Sequence, residues 1–278
     1  MHEAVQNIAP QLDMPEFERI AEAIRRNKFI PIPPADRNFV SHKSDDFIGQ
    51  GIGQLRTLVR HGLKPFHNVL EIGSGIGRLA LPLSQYSDPT ASYFGLDNNL
   101  SGVAWCHENI TTRYPNFEFA VINAVNLHYK HRAEYGQENA SQAHWPIPPR
   151  MRFGFACAFS LFTHLVTDEV QHYLEQVAKH LKPGGRFAST WFLIDDDTKA
   201  QIRAGRSHRP FHLDGPGPMH AFESSPGYFK AIGYEVDAVH AMAERAGFKI
   251  VLDQRGGWRT TADDQDTLVM QKAEREGP

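Results

Sequence analysis

Val69-Leu70-Glu71-Ile72-Gly73-Ser74-Gly75-Ile76-Gly77-Arg78 decides the fold. A short apolar run reads as a strand that enters a glycine-rich turn and leaves as a helix bearing Ile76, Leu79, Ala80 and Leu83. Glycine at 73 and 75 lets the backbone pass close to a ligand with no Cβ in the way. In an open α/β sheet such a turn lies at the carboxyl end of the strands, where these folds bind ligands. Taken alone, the turn suits a dinucleotide site equally well, or no site at all.

The next stretch downstream narrows the choice. The run SYFGLD (92–97) reads as a second strand ending in Gly95-Leu96-Asp97, about twenty residues past the last glycine. A carboxylate placed there can accept from both hydroxyls of a ribose. NAD would satisfy that too, but Gly-x-Gly-x-Gly behind a glutamate differs from the Gly-x-Gly-x-x-Gly of dinucleotide sites.

Further along, strands and helices alternate. A helix bears Val103, Ala104, His107 and Ile110, and FEFAVI (117–122) is a third strand. Residues 127–150 read as a polar, proline-ended insertion, and FGFACAFS (153–160) as a strand buried on both faces. A helix over 168–181 aligns Val170, Leu174, Val177 and Leu181 and stops at LKPGG; RFASTWFLI (186–194) follows as a fifth strand. Residues 195–233, rich in Asp, His, Gly and Pro, break the alternation. A helix returns at about 235–247, and KIVLDQ and DTLVMQ close the chain as strands.

Upstream, residues 14–28 and 47–63 have helical periods on either side of the proline-rich FIPIPPADRN. The expected architecture is one doubly wound, Rossmann-like α/β domain with a mostly parallel seven-stranded sheet. Residues 1–64 form a helical cap, 65–194 and 235–278 the core, and 195–234 an inserted lid.

Bulk properties set limits. The 278 residues suffice for a sizeable core, and the composition (41% hydrophobic, 22% charged) is that of a globular protein. A net charge of −3 does not suggest a general nucleic-acid surface. Neither a membrane span nor the basic-then-apolar order of a secretion signal is found, so a cytoplasmic protein is expected. Cys106 and Cys157 sit in apolar patterns and read as buried thiols.

Taken together, VLEIGSGIGRLALPL, YFGLDNN, FSLFTHL and LKPGGRFAST resemble the class I S-adenosylmethionine-dependent methyltransferases. The resemblance covers about 67–194. A bacterial group within them is similar in an Arg-x-Phe-Val stretch, here Arg37 to Val40, and in Phe162-Thr163-His164. It implies S-adenosylmethionine as methyl donor and S-adenosylhomocysteine as product. The backbone at Gly73, Ser74 and Gly75 would then face the methionine part, with Glu71 orienting the loop. Asp97 would hold the ribose, with Asn98 beside it. Asn123 stands where the family usually offers an acid to the adenine amine. Ser160 ends the fourth strand on the donor side. Arg78 either reaches the methionine carboxylate or is an exposed helix arginine.

The acceptor is less sharply drawn. His164 follows the fourth strand, which in this fold faces the transferred methyl, and its imidazole suits a base near neutral pH. A structural histidine capping the next helix is the other reading. Ser160-Leu161-Phe162 replaces the Asn/Asp-Pro-Pro-Tyr/Phe of base and glutamine N-methylation, and the aspartate of catechol-type magnesium enzymes is missing. Asp195, Asp196 and Asp197 read as a solvated turn, and His208, His212, Asp214 and His220 match no closed zinc site, so no metal is expected. Trp191, Phe211, Phe222, Tyr228 and Trp258 either wall a lid suited to ring stacking or pack beneath it. The leading expectation is methylation, preferably at oxygen, of a small hydroxylated or glycan acceptor. RNA or protein methylation and a non-catalytic donor-binding module are the alternatives. Nucleic acid is not an expected partner, and a homodimer is an open option.

Overall fold

The computed structural model describes residues 14–40, 46–125, 138–214, 217–225, 228–260 and 264–274. Its centre is a seven-stranded sheet. In chain order its strands are β1 (Val69–Ile72), β2 (Tyr93–Asp97), β3 (Phe117–Val121), β6 (Phe153–Ala158), β7 (Leu181–Trp191), β11 (Phe248–Gln254) and β12 (Asp266–Lys272). The spatial order is β11-β12-β7-β6-β1-β2-β3. The pairs from β7 to β3 are parallel, and β12 runs antiparallel between β7 and β11. The expected doubly wound, mostly parallel sheet is therefore present. The order reverses between β1 and β6, which opens a crevice at their carboxyl ends.

Helices cover both faces. On one side lie α1 (Met14–Arg26), α2 (Phe47–Arg60), α3 (Ala80–Tyr86) and α4 (Leu100–Cys106), which continues as a wider turn over His107–Thr111. On the other lie α5 (Thr167–His180) and α7 (Val236–Arg245). The amphipathic period read for α1 buries Phe17, Ala21 and Ile24. Arg56 of α2 grips Glu18 of α1 through two hydrogen bonds of 2.7 and 2.8 Å. None of these helices is long and apolar enough to cross a membrane. Both cysteines are buried free thiols.

Several expectations change in detail. The first core helix begins at Ala80, not near Ile76, because Gly75 and Gly77 adopt φ of 57° and 78°, left-handed values that no α-helix contains. Leu181 to Gly185 belong to β7 and not to a loop. Part of the insertion read over 127–150 is not polar surface: Ala140, Ala143, Trp145 and Ile147 are buried beside Tyr173 of α5. There β4 (Ala124–Val125) pairs with β5 (Glu138–Asn139).

The segment read as a structureless lid is built. It contains α6 (Asp196–Arg203), β9 (Met219–Ser225) and β10 (Tyr228–Glu235), and the latter two form a three-stranded sheet with β8 (Leu193–Ile194). Antiparallel pairing of β9 with β10 satisfies backbone groups that a loop would leave to water. Of the aromatic residues proposed as lid walls, Trp191, Phe211 and Trp258 are buried. Phe192, Phe211 and Trp258 share a small core of edge-to-face rings, against which the half-buried Phe222 packs. The side chain of Tyr228 lies outside the described residues.

Candidate functional site

A cavity of about 350 Å³ opens at the switch point between β1 and β6. Its floor is the glycine turn. Gly73 and Gly75 adopt φ of 77° and 57°, where an L side chain is strained. A Cβ at Gly75 would stand 2.7 Å from Val40 Cγ1. The turn spends its amides on the fold. Those of Gly73 and Ser74 donate to the Leu96 carbonyl (2.7 and 3.0 Å), and that of Gly75 donates to Asp97 Oδ2 (2.7 Å).

Asp97 thus does structural work as well as lining the cavity. Its Oδ1 accepts from the Asn99 amide at 2.8 Å. Burial pushes this carboxyl up, while the amides of Asn99, Gly75 and Asn98 pull it back toward the charged form. With these amides in place the carboxylate still keeps some acceptor capacity for an outside donor. Asn98 also lines the cavity, and its side-chain amide donates to the Ala124 carbonyl at 3.3 Å.

Beneath the turn sits Glu71, 3% exposed, whose Oε2 accepts from the Tyr93 hydroxyl at 2.5 Å. Burial raises its carboxyl to about 7, against the lowering influence of the Tyr93 hydroxyl and of Arg78. Arg78 is neither exposed nor purely helical decoration. Its Nη1 donates to the Val40 carbonyl (2.8 Å) and to Gln50 Oε1 (3.1 Å), and the residue lines the cavity. Its Nε is buried without a hydrogen bond among the described residues.

Glu71, Ser74 and Asn123 do not line the cavity. Glu71 points into the core toward Tyr93, and the Ser74 side chain packs against Gly95. Asn123 is exposed, while its neighbours Ile122 and Ala124 form the wall, as alternation along an extended chain requires. An apolar slot follows from Ile122, Ala124, Ala140, Leu165 and Tyr173. The sequence reading assigned nothing to Tyr173, which differs in no local way from the other buried residues of α5.

The opposite wall is the segment after β6. Phe159, Ser160, Leu161 and His164 all line the cavity. Ser160 has φ of 56°, the one positive value among the described residues other than glycine. That kink ends β6 and leads into a tight helical turn over Phe162–His164. The half-buried His164 therefore faces the same cavity as Asp97. Phe39 and Val40, quoted above only as part of a motif, close the cavity from the N-terminal side.

Among the described residues the three aspartates of the acidic run do not converge on one point with any other metal-ligating side chain. Asp195 caps α6 by accepting from the Thr198 amide (2.8 Å) and pairs with Arg255 (3.2 Å), while Asp196 and Asp197 are exposed. His220 contacts Glu235, and no three His, Cys, Asp or Glu converge among the described residues.

A glycine turn, an acidic end to β2 and a cavity at the switch point of this sheet are the arrangement with which open α/β folds bind nucleotide-like ligands. A family profile described as a methyltransferase domain matches residues 17–252. The chain belongs to that family, within the class I S-adenosylmethionine-dependent methyltransferases, and S-adenosylmethionine is its methyl donor.

Solved structures share the fold. The PH0226 protein of Pyrococcus horikoshii OT3 superposes with a TM-score of 0.57 at 15% identity, over 87% of this chain and 100% of its own. A methyltransferase of Methanosarcina mazei gives 0.52 at 18%, over 78% and 98%. Magnesium protoporphyrin IX methyltransferase from Synechocystis PCC 6803, with bound S-adenosylhomocysteine, gives 0.51 at 14%, over 93% and 97%.

Proposed function

We propose that this enzyme methylates oxygen in a small, neutral, hydroxylated acceptor, a phenol or a glycoside, with His164 as general base. The observation that carries the reading is the shared cavity, with Asp97 and the glycine turn on one wall and His164 with Phe159 and Leu161 on the other. The cavity accommodates the donor chemically. Asp97 retains acceptor capacity for ribose hydroxyls, Arg78 carries a cation for a carboxylate, and the slot with Ile122, Ala124 and Tyr173 is apolar enough for a purine face. Glu71, Ser74 and Asn123 act at one remove, shaping the turn and the wall. The donor supplies an already activated methyl group.

The work left to the protein is to hold the acceptor oxygen in line and take its proton. Phe39, Phe159 and Leu161 offer apolar contact for a ring and help keep water away. A neutral hydroxyl is a poor nucleophile, and an imidazole within reach of its proton supplies about 10²–10⁴-fold. The inserted unit over 195–234 borders this side. Tyr234 of β10 donates its hydroxyl to the Leu165 carbonyl at 2.6 Å, next to the turn that carries His164. We read it as the acceptor lid.

The test is release of S-adenosylhomocysteine across a panel of phenols, glycosides and amines, with wild type and His164→Ala. Turnover on a hydroxyl acceptor should fall about 10²–10⁴-fold in the variant while donor affinity holds. The ascending limb of the wild-type pH profile should disappear. Turnover confined to amines, or a variant as fast as wild type, refutes the reading.

A further inference from the structure

The turn after β6 contains a strained residue held from outside the cavity. Ser160 stands in the left-handed region (φ 56°), where an L side chain crowds its own backbone. Such conformations persist only where the surroundings impose them. The imposing contact comes from β7. The Ser160 amide has left the ladder, and it donates at 2.7 Å to the hydroxyl oxygen of Thr190. The last residues paired between the strands are Ala158 and Ser189, so Thr190 is the first side chain beyond the register that can meet this amide. Thr190 is 8% exposed and does not line the cavity.

The rest of the turn is fixed from the same side. The Ser160 hydroxyl donates to Gln265 Oε1 (3.2 Å), and the Thr163 hydroxyl donates to the Ser160 carbonyl (3.2 Å). The Phe162 ring stacks on Trp191 at 4.2 Å between centroids with planes 4° apart. Trp191 directly follows Thr190, so two successive residues of β7 set the height and direction of the segment ending in His164.

We propose that Thr190 is a positioning residue whose hydroxyl, by accepting the Ser160 amide proton, holds the left-handed turn that presents His164 to the cavity. Its importance for catalysis rests on the reading of His164 as the base. Without the hydroxyl, the Ser160 amide loses its protein acceptor and the strain at Ser160 loses its restraint. The turn then relaxes toward a right-handed conformation and carries the imidazole away.

Thr190→Val keeps the shape and removes the oxygen; Thr190→Ser keeps the oxygen. The first readout is the ring Cε1–H resonance of His164 in the full-length protein, identified by its absence from His164→Ala. In Thr190→Val it should shift or double while S-adenosylhomocysteine affinity stays unchanged, and Thr190→Ser should restore the wild-type signal. With the hydroxyl acceptor found in the panel, Thr190→Val should lower kcat by about a hundredfold, the usual effect of a displacement near 1 Å, with little change in KM. In a His164→Ala background the same substitution should cost nothing further. Should Thr190→Val fail to fold, Ser160→Gly/Thr190→Val removes the strain and allows the same spectrum. A His164 resonance superimposable on wild type in the valine variant overturns the proposal, as does an equal rate loss in the His164→Ala background. Full turnover by His164→Ala ends the base reading alone, because the resonance still reports whether Thr190 holds the turn.

Discussion

Glu71→Gln should make the enzyme more stable at alkaline pH, although it alters the acid of the signature turn. The carboxyl is buried and touches the Tyr93 hydroxyl, and its folded value of about 7 lies above the ordinary 4.5. A raised value means that the folded state holds a proton which the unfolded chain has released. The associated stability is complete below about pH 4.5 and is lost as pH rises through about 7. At about 1.4 kcal/mol per pH unit, that interval corresponds to roughly 3 kcal/mol. Glutamine imitates the protonated acid, and its amide oxygen can still accept from Tyr93. The two proteins should melt together below about pH 4.5, diverge between about pH 5 and 7, and stay apart above that, with the variant higher by on the order of 5 °C at pH 8.5. Melting followed by circular dichroism every half pH unit measures this. Other buried groups contribute to both curves and cancel in the difference. Parallel curves, or a variant less stable than wild type at pH 8.5, would refute the argument that burial keeps this carboxyl protonated.

Three further outcomes follow from the site. Asp97→Ala removes the acceptor for the Gly75 and Asn99 amides and, on the present reading, for the ribose. Charge-assisted bonds are worth about 1.5–3 kcal/mol each, so calorimetry should show S-adenosylhomocysteine affinity at least about tenfold weaker. An unchanged affinity in a folded variant would remove Asp97 from the site. Gly75→Ala meets both a left-handed φ and Val40 Cγ1 at 2.7 Å, so the melting temperature should fall and donor affinity with it. A silent substitution would mean that the N-terminal segment does not rest on the turn in solution. Turnover should survive EDTA, since Asp195 is committed to Thr198 and Arg255. Activity lost to the chelator and restored by one divalent cation would assign the acidic run or the histidines of 208–220 a role denied them above.

The chain order of the core strands, the glycine turn and Asp97 were legible in the sequence because each depends on local properties. Apolar runs separated by helical periods show a parallel sheet, and positive φ at a strand end selects glycine. Tertiary structure alone decided which side chains meet. Arg78 could be a surface arginine or a site residue until the Val40 carbonyl, 38 residues earlier in the chain, fixed its guanidinium. The sheet formed by β8, β9 and β10 was hidden among Gly, His and Pro, because its strands are stabilised by each other and not by alternation within any one of them. Asn123 held the expected position but faces away, since one residue of register moves a side chain to the other face. No pattern marked Thr190: nothing in an apolar strand distinguishes a hydroxyl that packs from one that holds another strand's amide, and only the pairing of β6 with β7 brings it to Ser160. Local chemistry thus set the donor turn and the strands, while the geometry around His164 was set by contacts far apart in the chain.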